Sequence, residues 1–533
     1  MQQIAIVLGL LAAVAGAIPL AARLNIAYPI VLVLGGLALG FIPFVPNVTL
    51  DPELVLLVFL PPLLYWQAVN TSWRDFRANL RPISSLAIGL VIGTTGGVAL
   101  VGHYLLALPW AVAFVLGAVV SPTDAVAATA ITSRLGVPHR IITIIEIIEG
   151  ESLVNDASAL VIYKTAVAAV VAGAFSLPRA GAQFFLAGGA GIAIGLCAGV
   201  LFSRARLAIR DTRVEGTLSL LIPFLVYLPA DLLGASGVLA TVATGLVIGR
   251  KGAVTAAPEA RLQIGAIWDL GTFLLNGLAF ILIGLEFQEI LRALDRDPLP
   301  LLLRDIAVVG FTVIVVRIIW VFPSSALARV IQRQHKREEP VSKRELSVVA
   351  WTGLRGVIAL AVALALPEMA GDGPFPYRSL IIFVTFGVII VTLVGQGLTL
   401  PPLIRLLGLS GDDNAAREEG IARAALARAA LGRLDEWEGR DGLPDRLLGE
   451  LRGRYERHLT RLEDTERAAM LPQAVLIPQL LADLRDTQRR TLVELRNRNV
   501  IGDEVLRLIQ RELDLEQLRL GSSLPQPENE ANA

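Results

Sequence analysis

Cysteine is almost missing from this chain: one residue of 533, Cys197, lies inside an apolar run. A disulfide framework needs pairs and a thiolate metal site needs a cluster, so both are excluded. Histidine is nearly as scarce. His103, His139, His335 and His458 are scattered, and no His-Glu-x-x-His occurs. Neither a zinc-hydrolase pattern nor another nucleophile–base set is present, so no enzymatic activity and no cofactor are expected. Charge is thin too. Only 18% of residues are charged and 54% are hydrophobic, with mean hydropathy +0.64. Soluble domains carry about 25% charge, so one large soluble enzyme is excluded. Lys and Arg total 47, as do Asp and Glu, so net charge gives no reason to expect a nucleic-acid partner. Lysine is rare beside arginine, which reads as genomic bias and not as function.

What is present is a run of long apolar stretches over residues 1–408, followed by 411–533, dense in Arg, Glu and Asp. A membrane domain with a soluble tail fits this split. No basic stretch precedes the first apolar run (Met1-Gln2-Gln3), so that run reads as a spanning helix and not as a signal peptide. Spans are expected over 3–22, 28–44, 52–71, 82–107, 109–134, 140–172, 181–204, 215–231, 234–250, 263–287, 304–328, 344–367 and 378–405, thirteen in all. Pro229, Asp231 and Gly234 are the only turn signal dividing 215–250. With the N-terminus outside, the inner loops hold 19 Arg and Lys and the outer loops 5. Positive charge marks the cytoplasmic side. The expectation is therefore an outside N-terminus and a cytoplasmic tail.

Three charges fall near the middle of spans: Asp124 in the fifth, Asp156 in the sixth and Arg355 in the twelfth. Each costs at least about 2.5–3.5 kcal/mol at the bilayer centre. Two acids and a base at one depth can offset one another. A buried ion pair that merely locks helices together is the structural alternative, stronger for Asp124 with Arg355 than for Asp156.

The fifth span is interrupted by Ser121-Pro122-Thr123-Asp124, and Pro122 removes a backbone donor and clashes with the preceding turn. The twelfth carries Arg355 between Gly353 and Gly356. Both read as broken helices, tolerated in a membrane only where protein or water satisfies the freed backbone. Helix ends carry about half a charge. Arg355 suits the carbonyl-bearing ends, and Asp124 suits the amide-bearing end. A simple proline kink is the bland alternative. The breaks are also fifth in each of two sets of six spans, joined by the seventh. The sets then face opposite ways, an inverted repeat with substrate bound where broken helices cross. The fold class expected is thus all-α, polytopic, about 13 spans in two inverted six-helix repeats, plus a helical tail.

The sixth span reads Glu149-Gly150-Glu151-Ser152-Leu153-Val154-Asn155-Asp156. At 100° per residue, Glu149, Ser152 and Asp156 share one face, with Glu151 and Asn155 on the neighbouring stripe. Asp156 and Ser152 can present oxygens to one point, while Asn155 can hydrogen-bond Glu151. Carboxylate, hydroxyl and carbonyl oxygens suit a hard monovalent cation, and no transition-metal pattern is present.

Ser-Pro-Thr-Asp at 121–124, Gly-Glu-Ser-Leu-Val-Asn-Asp at 150–156 and Gly-Leu-Arg-Gly at 353–356 closely resemble the monovalent cation:proton antiporter-1 family, the sodium/proton exchangers, in its bacterial members. The resemblance covers roughly residues 5–408, and the stretch Ile501 to Leu520 also looks like the end of bacterial members. It implies a homodimer of 13-helix protomers in the bacterial plasma membrane, exchanging Na⁺ (or Li⁺) for H⁺ in the service of pH and sodium homeostasis. By motif, Asp156 binds either cation or proton. Ser152, the Thr123 backbone and Asp124 complete or support the ion site. Asn155 and Glu151 stabilise it, and Arg355 steadies the crossing through Asp124. The Asn155-Asp156 pair, in place of two aspartates, resembles the electroneutral members. One departure stands out. Relatives often carry an acid just after the Pro-Pro of the third span, where this chain has Tyr65-Trp66-Gln67. Gln67 is a weak substitute, which bears on cation preference and pH dependence.

Other polar residues are open to more than one reading. Lys164 either snorkels outward or pairs inside the bundle, and Arg317 is a structural partner for Glu151 or Glu149. Asn276 lines the core or makes a structural hydrogen bond, and Asp269 and Glu286 sit near helix ends, solvated. The tail has helix-period patterning, for example over 421–434 and 447–462, punctuated at Gly442-Leu443-Pro444 and Leu471-Pro472, with a disordered end from Pro525 to Ala533. It serves dimer contact, regulation, or neither. Rival functions are K⁺/H⁺ exchange and, in another class, a cation channel.

Overall fold

The computed structural model describes residues 2–24, 26–42, 52–132, 139–173, 177–209, 211–255, 258–292, 298–332, 342–370, 373–409, 414–435, 449–453, 455–457, 459, 460 and 498. Contacts divide the chain into two units, Met1–Asp412 and Asp413–Ala533. In the second unit, α19 (Asn414–Asp435) is helical, as is the backbone at 449–453. The expected punctuation at 442–444 and 471–472, the stretch 501–520 and the end from Pro525 lie outside the described residues.

The first unit is a helical bundle. In chain order it contains α1 (Gln2–Leu24), α2 (Tyr28–Gly40), α3 (Pro52–Asn70), the short α4 (Trp73–Ala78) and α5 (Leu80–Ser84), α6 (Val91–Tyr104), α7 (Trp110–Val120) and α8 (Ala125–Thr132). Then follow α9 (His139–Ala172), α10 (Leu177–Ala208), α11 (Thr212–Leu232), α12 (Gly237–Thr255), α13 (Pro258–Arg292) and α14 (Leu299–Gln332). The last are α15 (Lys343–Trp351), α16 (Val357–Leu364), α17 (Arg378–Ile390) and α18 (Gly397–Leu406). A two-stranded hairpin, β1 (Met369–Ala370) and β2 (Gly373–Pro374), closes the loop after α16.

Among the described residues, each of the thirteen expected stretches lies largely on helical backbone, the fifth and twelfth being interrupted at 121–124 and 352–356. Among the described residues, eight helices are long and apolar enough to cross a membrane, and α1 with α2 passes the same test as a pair bent by 118°. The weakest expected division, within 215–250, is real. Gly234 adopts φ +75, which a side chain disfavours. The amide of Ala235 donates to Ala230 O at 2.9 Å and that of Gly234 to Asp231 O at 2.9 Å, so α11 ends there.

Several spans outrun their expected bounds. α9, α13 and α14 have 34, 35 and 34 residues. At 1.5 Å per residue each is about 50 Å long, beyond a hydrocarbon core of about 30 Å. Hydropathy marks only the part in lipid, whereas backbone hydrogen bonding continues past it. The π-helical turns at Ser85–Leu90, between α5 and α6, and at Val391–Gln396, between α17 and α18, left no mark in the hydropathy pattern.

Small residues set the closest packing. A side chain on Gly284 of α13 would meet the backbone of Val33 and Leu37 on α2, and one on Gly36 would meet Ile281 O. Backbone-to-backbone approach replaces hydrophobic drive between helices in lipid. The largest buried cluster surrounds both broken helices and runs from Val14 on α1 to Ile404 on α18. Smaller clusters join α3 to α11, α12 and α13 around Trp268, and α3 to α9 and α12 around Leu153 and Leu246.

Candidate functional site at the crossing of two broken helices

The fifth span breaks between α7 and α8, and the twelfth between α15 and α16. Local chemistry accounts for each end. Asp124 Oδ1 accepts from the amides of Val126 at 2.8 Å and Ala127 at 3.4 Å, capping α8. α15 starts with a capping box between Ser342 and Glu345, at 3.2 and 2.7 Å. The breaks then meet, because the amide of Asp124 donates to Leu354 O at 2.8 Å. The Asp124 carboxylate lies where a side chain on Gly356 would stand. Glycine is required there by contact, not by backbone angle.

Arg355, 1% exposed, serves the carbonyl ends. Its Nε donates to Val120 O, the last residue of α7, at 3.1 Å, and its Nη1 donates to Gly353 O. Its amide donates to Thr392 Oγ1 at 3.2 Å. The expected link through Asp124 takes another form: among the described residues no ion pair joins the two side chains. Asp124 spends its oxygen on the amides of α8, and the guanidinium turns to the opposite, carbonyl-bearing pole. Thr392 lies in the π-helical turn at 391–396, and no sequence signal distinguished it from other threonines in apolar runs.

α9 packs its polar stripe against the first break, with Thr123 as the hub. Ser152 Oγ donates to Thr123 O at 3.2 Å and accepts from the amide of Ala125 at 3.4 Å. Asn155 Nδ2 donates to Thr123 Oγ1 at 2.7 Å and to its carbonyl at 3.4 Å. Thr123 Oγ1 donates in turn to Glu151 Oε1 at 2.9 Å. The direct Asn155–Glu151 bond expected from helical spacing is replaced by this bridge. Glu151 is instead held by Arg317, which also donates from Nε to Val349 O at 3.1 Å. Of the two partners expected for Arg317, the geometry selects Glu151.

Asp156 is 1% exposed, and its Oδ2 receives no hydrogen bond. The neighbouring Asn155 Oδ1 is buried without a partner as well. Buried acceptors are nearly always paired in folded proteins, because leaving one bare costs about 1–3 kcal/mol or more. Two bare acceptors thus stand on adjacent residues of the helix that packs against the first break. No cluster of three or more His, Cys, Asp or Glu able to hold a metal ion occurs among the described residues.

The remaining polar residues lie elsewhere. Lys164 reaches Asp231 at 2.9 Å in an exposed pair, clear of the site. Asp269 is exposed as expected, whereas Glu286, expected to be solvated, is buried at 7% exposure because α13 continues past it to Arg292. Asn276 is buried in α13. Gln67 Nε2 donates to Glu149 O at 3.4 Å, tying α3 to α9.

A helical bundle whose two broken helices meet at mid-span, with bare acceptors beside the break, has the architecture of a secondary transporter. The family profile described as sodium/hydrogen exchanger, transmembrane, matches residues 9–406. The chain is 36% identical over 525 residues to an Na(+)/H(+) exchanger of Mycobacterium tuberculosis, covering 97% of this chain and 96% of that one. It is 33% identical over 442 residues to the low-affinity Na(+)/H(+) antiporter NhaS1 of Synechocystis, covering 82% and 80%. The sodium proton antiporter MjNhaP1 from Methanocaldococcus jannaschii shares the fold, with TM-score 0.61 at 20% identity over 76% of this chain and 100% of that one. The chain belongs to the sodium/hydrogen exchanger family, multi-pass membrane antiporters of sodium ions and protons.

Proposed function

We propose that this protein exchanges one Na⁺, or Li⁺, for one H⁺ by alternating access, with Asp156 as the carrier of either cargo. The observation that supports it is the buried carboxylate with a bare Oδ2 one helical turn from Ser152, whose hydroxyl already touches the broken backbone at Thr123. Ser152 Oγ and Thr123 O supply neutral oxygens, and Asp124 holds the α8 end in place. Thr123, Asn155, Glu151 and Arg317 form the frame, with Pro122, Gly353 and Gly356 opening the breaks.

Loaded with sodium or with a proton, the Asp156 carboxylate is neutralised, and the barrier to carrying it across the low-dielectric layer falls. Empty and ionised it is trapped, which makes exchange obligatory. One carboxylate and one cation per proton move no net charge. Residues 1–408 form the transport domain, with the N-terminus outside, and 411–533 the cytoplasmic helical domain, in a homodimer of the bacterial plasma membrane. The loop charge bias supports that orientation. The physiological role is pH and sodium homeostasis.

The test is a pH-sensitive dye in sealed proteoliposomes, with Na⁺, Li⁺ and K⁺ added in turn under voltage clamp. Na⁺-driven proton movement, unaffected by voltage and abolished in a folded Asp156→Asn variant, is expected. A larger response to K⁺ reassigns the cargo, a voltage-driven cation flux without protons indicates a channel, and full activity in the Asn variant removes Asp156 from its role.

A further inference from the structure

α9 is held in two different ways. Through Ser152, Asn155 and Glu151 it is hydrogen-bonded to the first break and to α14. Toward α3 and α12 it turns an apolar stripe of Leu153, Ala157 and Leu160, in one cluster with Leu64 of α3 and Val242 of α12. The helices beyond that stripe are interlocked with one another. A side chain on Gly249 of α12 would meet Val69 O of α3, and one on Gly237 would meet Tyr227 of α11. α9 meets this group side chain to side chain, the kind of packing along which helices shear.

The stripe ends in a charge. Lys164 lies eleven residues beyond Leu153, about 20° past three full turns, so it stands on the same face. It is also about 12 Å along the axis from Asp156. Its Nζ meets Asp231 Oδ1 of α11 at 2.9 Å, and Asp231 is one turn beyond Tyr227. The pair therefore ties α9 to the interlocked group at one end of the apolar face. Its side chains are 60% and 44% exposed, so it can open without stranding a buried charge.

We propose that Lys164 and Asp231 form a latch for alternation. The pair holds α9 against α11 in the conformation described and keeps the route to Asp156 shut at that end of the bundle. It breaks when α9 shears along α3 and α12 to open that route. The loop charge bias favours the outside for this end. An exposed pair is worth at most about fivefold in a two-state balance. That is enough to set which side the empty carrier favours and too little to prevent turnover. The proposal rests on alternating access at Asp156.

Sided transport is the first test. In oriented proteoliposomes, Na⁺-driven proton flux is measured with Na⁺ supplied from each side. The variants are Lys164→Gln, Asp231→Asn and the charge swap Lys164→Asp with Asp231→Lys. Each neutral variant is expected to lower the Michaelis constant for Na⁺ on the Lys164 side by about two- to fivefold, because the state open to that side gains population. On the other side the constant should stay level or rise, and the swap should move both back toward wild type. Unchanged constants, an equal change on both sides, a shift in the opposite sense, or a swap as altered as the single variants overturns the latch, because a merely structural pair has no sidedness.

The second test needs no transport. Leu160→Cys, placed between Asp156 and Lys164 in a Cys197→Ala background, is labelled from the Lys164 side with a membrane-impermeant thiol reagent. Adding Lys164→Gln is expected to speed labelling several-fold, and the charge swap to slow it again. Equal rates, or no labelling in any variant, overturn the latch whether or not the wild type exchanges Na⁺ for H⁺. Absent exchange together with the expected labelling defeats the function proposed above and leaves the latch standing.

Discussion

Arg317 grips Glu151 with two parallel bonds, Nη1 to Oε1 at 2.6 Å and Nη2 to Oε2 at 2.9 Å, between side chains that are each 1% exposed. The pair joins α14 to α9 and is the anchor on which the Thr123 hub hangs. Bidentate geometry of this kind adds direction as well as energy.

Removing the cation alone strands a buried carboxylate. Arg317→Met is expected to cost about 3–5 kcal/mol. The double variant Arg317→Met with Glu151→Gln should recover most of that loss, because no unpaired charge is left. Thermal unfolding in detergent of both single variants and the double variant reads the coupling directly; additive losses would contradict a shared pair.

Gly356 should not accept a methyl group. Its Cβ would collide with the Asp124 carboxylate, which caps α8. Gly356→Ala is expected to destabilise by about 1–3 kcal/mol and to lower exchange by displacing the crossing. Gly96→Ala is the control, since nothing lies within 4 Å of its added carbon. Unfolding midpoints and proton flux for the two variants decide the matter.

Thr123→Val keeps the shape and the carbonyl of the hub but deletes the hydroxyl shared by Asn155 and Glu151. Both buried partners then lose a bond, at about 1–3 kcal/mol, so slower exchange and lower stability are expected together. Thr392→Val frees the Arg355 amide and removes a hydroxyl bond to Val388 O in the preceding helical turn, and should be milder because no buried charged side chain loses a partner. A Thr392 variant more damaged than the Thr123 one would mean that the second break, and not the hub, governs the site.

With Asp156 as the proposed carrier of both cargoes, competition at one carboxylate sets the expected pH dependence. Protons occupy Asp156 as pH falls, so the Michaelis constant for Na⁺ should rise toward about tenfold per pH unit while the maximal rate at saturating Na⁺ holds. Ser152→Ala removes a neutral oxygen and not the titrating group. It should raise the constant by one factor at every pH without moving the profile. Initial rates over a grid of pH and Na⁺ separate the two effects.

The long apolar runs, the breaks at Pro122 and around Arg355, and the polar stripe of α9 were legible in residue order. Each depends on neighbours a few positions apart: hydropathy over a span, a proline's missing amide, a helix repeat. Even the opposite tasks of Arg355 and Asp124 at helix ends followed from charge and dipole. The Glu286 environment and the length of α9, α13 and α14 did not, because hydropathy records the lipid layer and not where hydrogen bonding stops.

Sequence alone therefore determined an all-helical membrane chain, the two breaks and the residues able to bear charge at their depth. Tertiary structure decided who touches whom: Arg317 with Glu151 across 166 positions, Arg355 with Val120 across 235, and Thr123 between Asn155 and Glu151. Local pattern sets what a segment can form. Partner choice is settled only when packed helices bring distant polar groups together in a medium that leaves none of them water to fall back on.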